Sequence, residues 1–103
     1  MALELRPNCE CCDKDLPATA TDARICSFEC TFCADCVENV LQNVCPNCGG
    51  GFERRPIRPA NQWRSGVSLE TRPASTKRHA MRFKVEDLAE HIGRIKDIPP
   101  GKR

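Results

Sequence analysis

Residues 9–48 read CECCDKDLPATATDARICSFECTFCADCVENVLQNVCPNC, and eight of the nine cysteines of the chain fall into four short pairs within this stretch. The members of a pair are separated by two residues, or by three in the second pair. Such a spacing lets a tight turn direct both thiolates at one metal ion about 2.3 Å away. Because a tetrahedral site needs two pairs, the stretch predicts two closed four-thiolate sites. The pairs are Cys9/Cys12, Cys26/Cys30, Cys33/Cys36 and Cys45/Cys48, and Cys11 is left over.

Zinc is the expected metal because it is soft enough for thiolates and has no redox chemistry, and iron is the alternative that four thiolates also suit. Two structural Zn²⁺ ions, each with four protein ligands, would leave no open position for water. The rest of the sequence offers no nucleophile–base arrangement and no phosphate-binding glycine loop, and His79 and His91 are not needed as ligands. We therefore expect a protein that is not an enzyme and has no catalytic residues.

Spacing leaves two groupings of the pairs open. Joining the two middle pairs around one ion would strain the two-residue link between them. In the sequential grouping, the first two pairs hold one ion and the last two hold the other. In the crossed grouping, the first and third pairs share one ion, and the second and fourth pairs share the other.

A short helix is expected to begin at the third cysteine pair, before the turn CPNCGGG of residues 45–51. The glycines of that turn tolerate positive φ, and its free amides can hydrogen-bond to thiolates. A knuckle followed by a helix that carries a second ligand pair is the treble-clef arrangement. The apolar positions of the helical pattern are Val37, Val40, Leu41 and Val44.

Few large apolar side chains lie between the first and the last cysteine. Their burial would contribute less than the conformational entropy lost in fixing about 40 backbone residues. Metal binding is expected to supply the difference, so the sequence predicts that the metal-free module is unfolded at neutral pH. These side chains are Leu16, Ile25, Phe28, Phe32, Val37, Val40, Leu41 and Val44.

The composition changes after the last cysteine pair, where the predicted module of residues 1–52 ends. Residues 1–51 carry a net charge of −5, and residues 52–103 carry one of +7. Residues 53–84 are basic and contain several prolines, each of which pushes the preceding residue toward an extended conformation. They predict a strap or linker that pairs with the acidic module, which metal-bound thiolates would make more acidic still.

Residues 85–98 predict an amphipathic helix, and residues 99–103 form a tail. Acidic residues in the first turn and basic residues in the last turn suit the helix dipole. The apolar stripe is expected to dock on the module, with self-association or partner binding as the alternative. The stripe consists of Val85, Leu88, Ala89, Ile92 and Ile95.

No apolar run approaches the roughly 20 residues needed to cross a bilayer, and the first residues lack the order of a signal peptide. We therefore expect a cytoplasmic protein, without membrane contact, in a reducing compartment where paired cysteines bind metal instead of forming disulfides. A monomer or a weak homodimer is expected.

These features indicate a zinc-binding interaction module that presents a surface to a protein partner. The alternative is a nucleic-acid-binding regulator, in which arginines of the basic segment contact phosphates and Trp63 stacks on bases. The arginines in question are Arg54, Arg55, Arg58, Arg64 and Arg72. The candidate interaction residues are Val40, Pro46, Arg54, Arg55, Arg58, Trp63, Leu88 and Ile92.

The order of the eight cysteines resembles the RING finger, a zinc finger in which eight ligands bind two ions in crossed pairs and one middle ligand is usually histidine. The resemblance covers residues 9–48 and implies a small α+β, metal-stabilised, RING-like or treble-clef-like binuclear zinc module, followed here by the extended segment and helix. It implies the crossed grouping. One site would then be Cys9, Cys12, Cys33 and Cys36, and the other Cys26, Cys30, Cys45 and Cys48.

RING ligases recruit a conjugating enzyme through a few non-ligand positions. Cys11 stands where isoleucine or leucine is usual, and Val40 where tryptophan or leucine is common. Pro46 matches the proline after the seventh ligand, whereas Gly49 replaces a cationic residue. The resemblance therefore makes a RING-type, ubiquitin-ligase-like adaptor a further alternative.

More of the chain resembles a bacterial family of small cysteine-rich proteins, domain-of-unknown-function family 1272. The resemblance implies a bacterial cytoplasmic protein of about this size and does not imply an activity. It is carried by LELRPNCECCD at 3–13, ARICSFECTFCADC at 23–36, CPNCGG at 45–50 and RPIRP at 55–59.

Overall fold

A three-stranded antiparallel sheet forms the centre of the protein, whose computed structural model describes residues 2–103. The strands lie in the order β2-β1-β3, and β1 pairs with both neighbours. They are β1 Ala23–Ile25, β2 Thr31–Cys33 and β3 Glu53–Arg54. Because all three are short, the sheet alone buries little. The segments that join its strands carry Cys26, Cys30, Cys45 and Cys48.

The hairpin between β1 and β2 contains the second cysteine pair. The Cys26 amide donates to the Cys30 carbonyl at 3.1 Å, and the Glu29 amide donates back to the Cys26 carbonyl at the same distance. Glu29 adopts a positive φ of 69°, which closes this tight turn. The hairpin thereby directs both cysteine side chains to one end of the sheet.

Helix α1, Ala34–Asn39, follows β2 directly, as the apolar spacing predicts. The pattern continues beyond the helix, since Leu41 and Val44 are also fully buried. The helix nevertheless ends because Gln42 and Asn43 take left-handed conformations, with φ of 50° and 60°. The apolar positions after Asn39 are therefore buried by a turn and not by a helix.

The core is shared by apolar side chains and cysteines. Phe32 and Phe52 meet edge to face, with ring centroids 5.3 Å apart and planes at 72°. Leu16 and Leu41 are buried in the same cluster as most of the cysteine side chains. Most of the paired cysteines are thus part of the core, whereas Cys12 and Cys48 are exposed.

The basic segment begins as β3 and then lies along the module as a strap. The Ser75 amide donates to the Leu5 carbonyl and the Met81 amide to the Glu10 carbonyl, each at 3.0 Å. Arg78 pairs with Asp13 and with neighbouring Asp15, at 2.8 Å each, on the acidic surface around the first cysteine pair. The opposite charges of the two segments are therefore partly joined within the chain.

The C-terminal segment is helical over a shorter range than residues 85–98. A 3-10 turn, Val85–Asp87, precedes helix α2, Ala89–Ile95, and a second 3-10 turn, Pro100–Lys102, lies near the end. Leu88 and Ile92 are buried in the core cluster, so the helix docks on the module. Within residues 2–103, none of the helices has the length and apolar character needed to cross a membrane.

Candidate metal centre

The first and third cysteine pairs converge in one cluster. The sulfurs of its four members all lie within 4.8 Å of one another, and those of Cys12 and Cys33 are 3.8 Å apart. A tetrahedral ion with four sulfurs about 2.3 Å away separates neighbouring sulfurs by about 3.8 Å. The cluster therefore suits a four-thiolate metal site. Its members are Cys9, Cys12, Cys33 and Cys36.

Backbone turns and the start of α1 position this cluster. The Asp13 amide donates to the Cys9 carbonyl at 2.9 Å, and the Cys12 amide approaches the Cys9 sulfur at 3.5 Å. Cys33 is the last residue of β2 and the N-cap of α1, and Cys36 lies in the first turn of that helix. One pair is thus held by a turn and the other by the junction of a strand and a helix.

The second and fourth pairs form the other cluster. The sulfurs of Cys26, Cys45 and Cys48 lie within 4.8 Å of one another. The Cys30 sulfur is not within that mutual distance of all three, but the Cys45 thiol acts on it strongly enough to lower its pKa. The Asn47 side-chain amide donates to the Cys30 sulfur at 3.3 Å. Three sulfurs are therefore grouped, and the fourth lies beside them.

Backbone amides surround the sulfurs of the second cluster. The Phe28 amide donates to the Cys26 sulfur at 3.3 Å, and the Gly50 amide donates to the Cys48 sulfur at 3.4 Å. Amides in the turn of residues 45–51 were expected to hydrogen-bond thiolates, and Gly50 does so. Such bonds stabilise negative charge on sulfur, which is the form that binds metal.

The sulfurs of the second cluster shift one another's pKa values. The hydrogen bond from the Cys45 thiol lowers the pKa of Cys30 to about 5, and the same bond raises the pKa of Cys45. Burial raises the pKa of Cys26 to about 11. In the first cluster, burial likewise raises the pKa of Cys36. A divalent ion is the kind of charge that would replace the protons on these sulfurs.

Cys11 remains outside the mutual set of the first cluster. Its side chain is half-buried and packs against the core. Burial raises the pKa of Cys11, which agrees with treating it as a small hydrophobic side chain and not as an activated thiol.

The first and third pairs thus share one cluster, and Cys26 of the second pair lies with both members of the fourth pair, as the crossed grouping predicts for these seven residues. The sequential grouping would require the first two pairs to meet. The hairpin turn that carries Cys26 and the turn that carries Cys9 instead direct their sulfurs to different clusters.

The other candidate residues divide into exposed and buried sets. Trp63 is 80% exposed, and Arg54 is also exposed. Arg55, in contrast, is only 3% exposed. Arg58 is half-buried and donates to the backbone carbonyls of Leu3 and Arg72. The remaining candidates pack inward: Val40 is half-buried, and Pro46, Leu88 and Ile92 are buried.

Sequence analysis missed two residues at these surfaces. Phe28 was assigned to the core, but it lies in the hairpin turn with 69% of its surface exposed. Arg103 was assigned only to the tail, but it donates to two carbonyls beside the fourth cysteine pair. Periodicity had no signal for either residue, because one lies in a turn and the other bonds to the backbone.

The fold and these clusters define a small α+β protein with two cysteine clusters suited to two metal sites. The chain belongs to the family described as "Protein of unknown function (DUF1272)", which matches residues 2–58 and confirms the family resemblance. It is similar to "Uncharacterized protein R02474" of Rhizobium meliloti (strain 1021), with 59% identity over 76 residues. That match covers 74% of this chain and 83% of the relative. No solved structure matches the chain.

Proposed function

We propose that this protein is a RING-like zinc module that binds two structural Zn²⁺ ions and presents a surface to a protein partner. The observation that carries the proposal is that the cysteine sulfurs gather in a group of four and a group of three, most of them buried in the core. Groups of three and four sulfurs within 4.8 Å would repel one another as thiolates, and a soft divalent ion removes that repulsion.

The metal part is tested by native mass spectrometry with elemental analysis on protein purified from a reducing, zinc-containing host. We expect two zinc ions per chain. Iron in place of zinc would change the metal but keep the two-site architecture, and elemental analysis separates these results. A compact protein that arrives without metal would overturn the proposal.

A protein partner is supported by the aromatic side chains that the fold leaves in solvent. Phe28 and Trp63 are 69% and 80% exposed, although aromatic residues make up only 5% of the chain. Exposed aromatic side chains are typical anchors of protein interfaces. Each can be replaced in turn by a photo-crosslinking amino acid in the cells that express the protein.

Crosslinks from either aromatic position to one protein are expected, identified by mass spectrometry. The same substitution at Glu38, an exposed residue of α1, is the matched control and should not give that product. Crosslinks that are absent from both aromatic positions, or equal at Glu38, would contradict a protein interface at Phe28 and Trp63.

The nucleic-acid alternative has less support because two of its five arginines serve the fold, although Arg54, Arg64 and Arg72 are exposed. Arg55 and Arg58 donate to backbone carbonyls, and Arg78 pairs with two aspartates. These guanidinium groups are already engaged and would have to leave their partners to bind phosphate. The ligase-like alternative also gains little, since Pro46 is buried and Val40 is half-buried.

A further inference from the structure

The C-terminal segment, residues 85–103, packs on the turn that supplies the fourth cysteine pair. The His91 ring nitrogen Nε2 lies 3.0 Å from the Cys45 carbonyl oxygen. A Cβ atom on Gly49 would lie 3.2 Å from the Ile95 Cδ1 atom, so the helix and the turn are in close contact. The contact therefore reaches the backbone of the metal-site turn itself.

Arg103 adds hydrogen bonds to this contact. Arg103 donates through Nη1 to the carbonyls of Asn43, at 2.7 Å, and Gly49, at 3.2 Å, while its Nε donates to the Ile98 carbonyl at 2.9 Å. One guanidinium thus bridges the two ends of the turn and the C-terminal segment. Pro100 fills the space beside Gly51, where an added Cβ would lie 3.1 Å from the proline Cγ.

The turn is less regular than the segment that carries the third cysteine pair. Cys45 and Cys48 lie in no helix or strand, whereas Cys33 and Cys36 lie in β2 and α1. The approach to the turn contains left-handed Asn43, and Gly49 follows the pair with φ of 77°. A non-glycine residue in the left-handed region is uncommon and persists where its surroundings hold it.

We propose that residues 85–103 form a latch that retains the metal of the second cluster. The inference rests on the proposed metal binding and adds that the two ions depend on different parts of the chain. The family match ends at residue 58, so the latch is supplied from outside the matched residues. The ion bound by Cys26, Cys30, Cys45 and Cys48 should depend on the latch, whereas the ion of the first cluster should not.

The test uses the full-length, zinc-loaded chain and two latch variants, Arg103→Ala and Ile92→Ala. The first removes the carbonyl contacts, and the second opens the buried face of α2. Lys102→Ala is the matched control, because Lys102 is exposed and adjacent in sequence to Arg103. Zinc transfer to an excess of a coloured chelator is followed over time, with N-ethylmaleimide labelling mapped by peptide mass spectrometry.

In both latch variants, one ion per chain should leave about tenfold faster or more, as expected when hydrogen bonds to a charged group or buried packing is lost. Labelling should appear first at Cys45 and Cys48, while the other ion and Cys9 and Cys12 keep wild-type rates. Lys102→Ala should behave as wild type.

Wild-type rates for both ions in both variants would overturn the latch, and so would equal acceleration of the two ions, which indicates general destabilisation. A wild-type chain that carries no zinc would instead refute the proposed function. The two failures are therefore distinguishable in one assay.

Discussion

The sulfurs of Cys12 and Cys33 lie 3.8 Å apart although the residues are 21 positions apart in the sequence. In the sequence, the turn between β1 and β2, which carries the second cysteine pair, lies between these two residues. The first cluster therefore closes a loop that contains half of the second cluster. The two proposed sites are thus interleaved along the chain and cannot be separated into independent halves of it.

Replacing Cys9 and Cys12 together by serine should release the metal of the first cluster and free Cys33 and Cys36. Their sulfurs share the cluster and would lose their ion, so both should become reactive toward N-ethylmaleimide. Peptide mass spectrometry identifies the labelled cysteines. Preferential labelling of Cys26 and Cys30 would instead support the sequential grouping.

Cys11→Ser is the matched control for that experiment. Cys11 is the direct sequence neighbour of Cys12, but its sulfur is not one of the four within 4.8 Å. The variant should keep two ions by native mass spectrometry, with an unchanged labelling pattern. Loss of an ion from this variant would show that Cys11 takes part in the site.

Metal removal should unfold the module at neutral pH. The core contains many cysteine side chains among a few large apolar residues, so the clusters replace what would otherwise be apolar packing. A zinc-selective chelator should collapse the amide dispersion in ¹H–¹⁵N spectra, and added zinc should restore it. The same chelator presaturated with zinc is the control. Retained dispersion in verified metal-free protein would contradict this prediction.

Cysteine spacing predicted much of the site because metal geometry imposes short, local constraints. Two thiolates separated by two residues must share one turn, and this holds without knowledge of the rest of the fold. The helix that follows the third pair was also readable from its apolar period. Its end at Asn39 was not, since the left-handed backbone of Gln42 and Asn43 overrides an apolar pattern that continues to Val44.

The role of the arginines could not be read from the sequence. Arg54 and Arg55 are adjacent and chemically identical, yet one is exposed and the other is buried. The difference comes from the contacts of the side chains: the Arg55 guanidinium donates to buried backbone carbonyls, whereas the Arg54 side chain lies in solvent. A partner that is a backbone carbonyl leaves no trace in composition, so basic residues that serve the fold resemble basic residues that bind ligands.

Asn8→Ala should loosen the strap. Asn8 is 1% exposed, donates to the His79 carbonyl at 2.7 Å, and accepts from the His79 amide at 3.0 Å. Without these two hydrogen bonds the amide and carbonyl of His79 lack their partners, which should lower the free energy of unfolding by about 1–3 kcal/mol. Hydrogen exchange by mass spectrometry should accelerate in peptides that cover residues 75–82.

Arg78→Ala is the comparison for Asn8→Ala. It removes ion pairs with Asp13 and Asp15, and a hydrogen bond to the Asp13 carbonyl, from the same part of the strap. These contacts are solvent-exposed, so their loss should change stability little. Its exchange rates should stay much closer to wild type. A larger effect of Arg78→Ala than of Asn8→Ala would show that charge, and not the buried amide, fastens the strap.

Arg55→Met should destabilise the zinc-loaded protein strongly. Arg55 donates to the carbonyls of Arg6 at 2.8 Å, Leu16 at 3.2 Å and Pro17 at 2.9 Å, and it thereby joins β3 to the loop after the first cysteine pair. Burial lowers the pKa of Arg55, so the interior tolerates this charge only because the carbonyls solvate it. Methionine keeps much of the length but leaves three carbonyls without that donor.

The expected loss in the free energy of unfolding is about 2 kcal/mol or more, measured by urea denaturation at a fixed free zinc concentration. Arg54→Met is the matched control, since it makes the same exchange at the exposed neighbouring position and should stay within about 0.5 kcal/mol of wild type. Equal losses in the free energy of unfolding of the two variants would mean that the substitution acts through net charge. A larger loss for Arg55 places the effect in the carbonyl contacts, because the two variants have the same net charge.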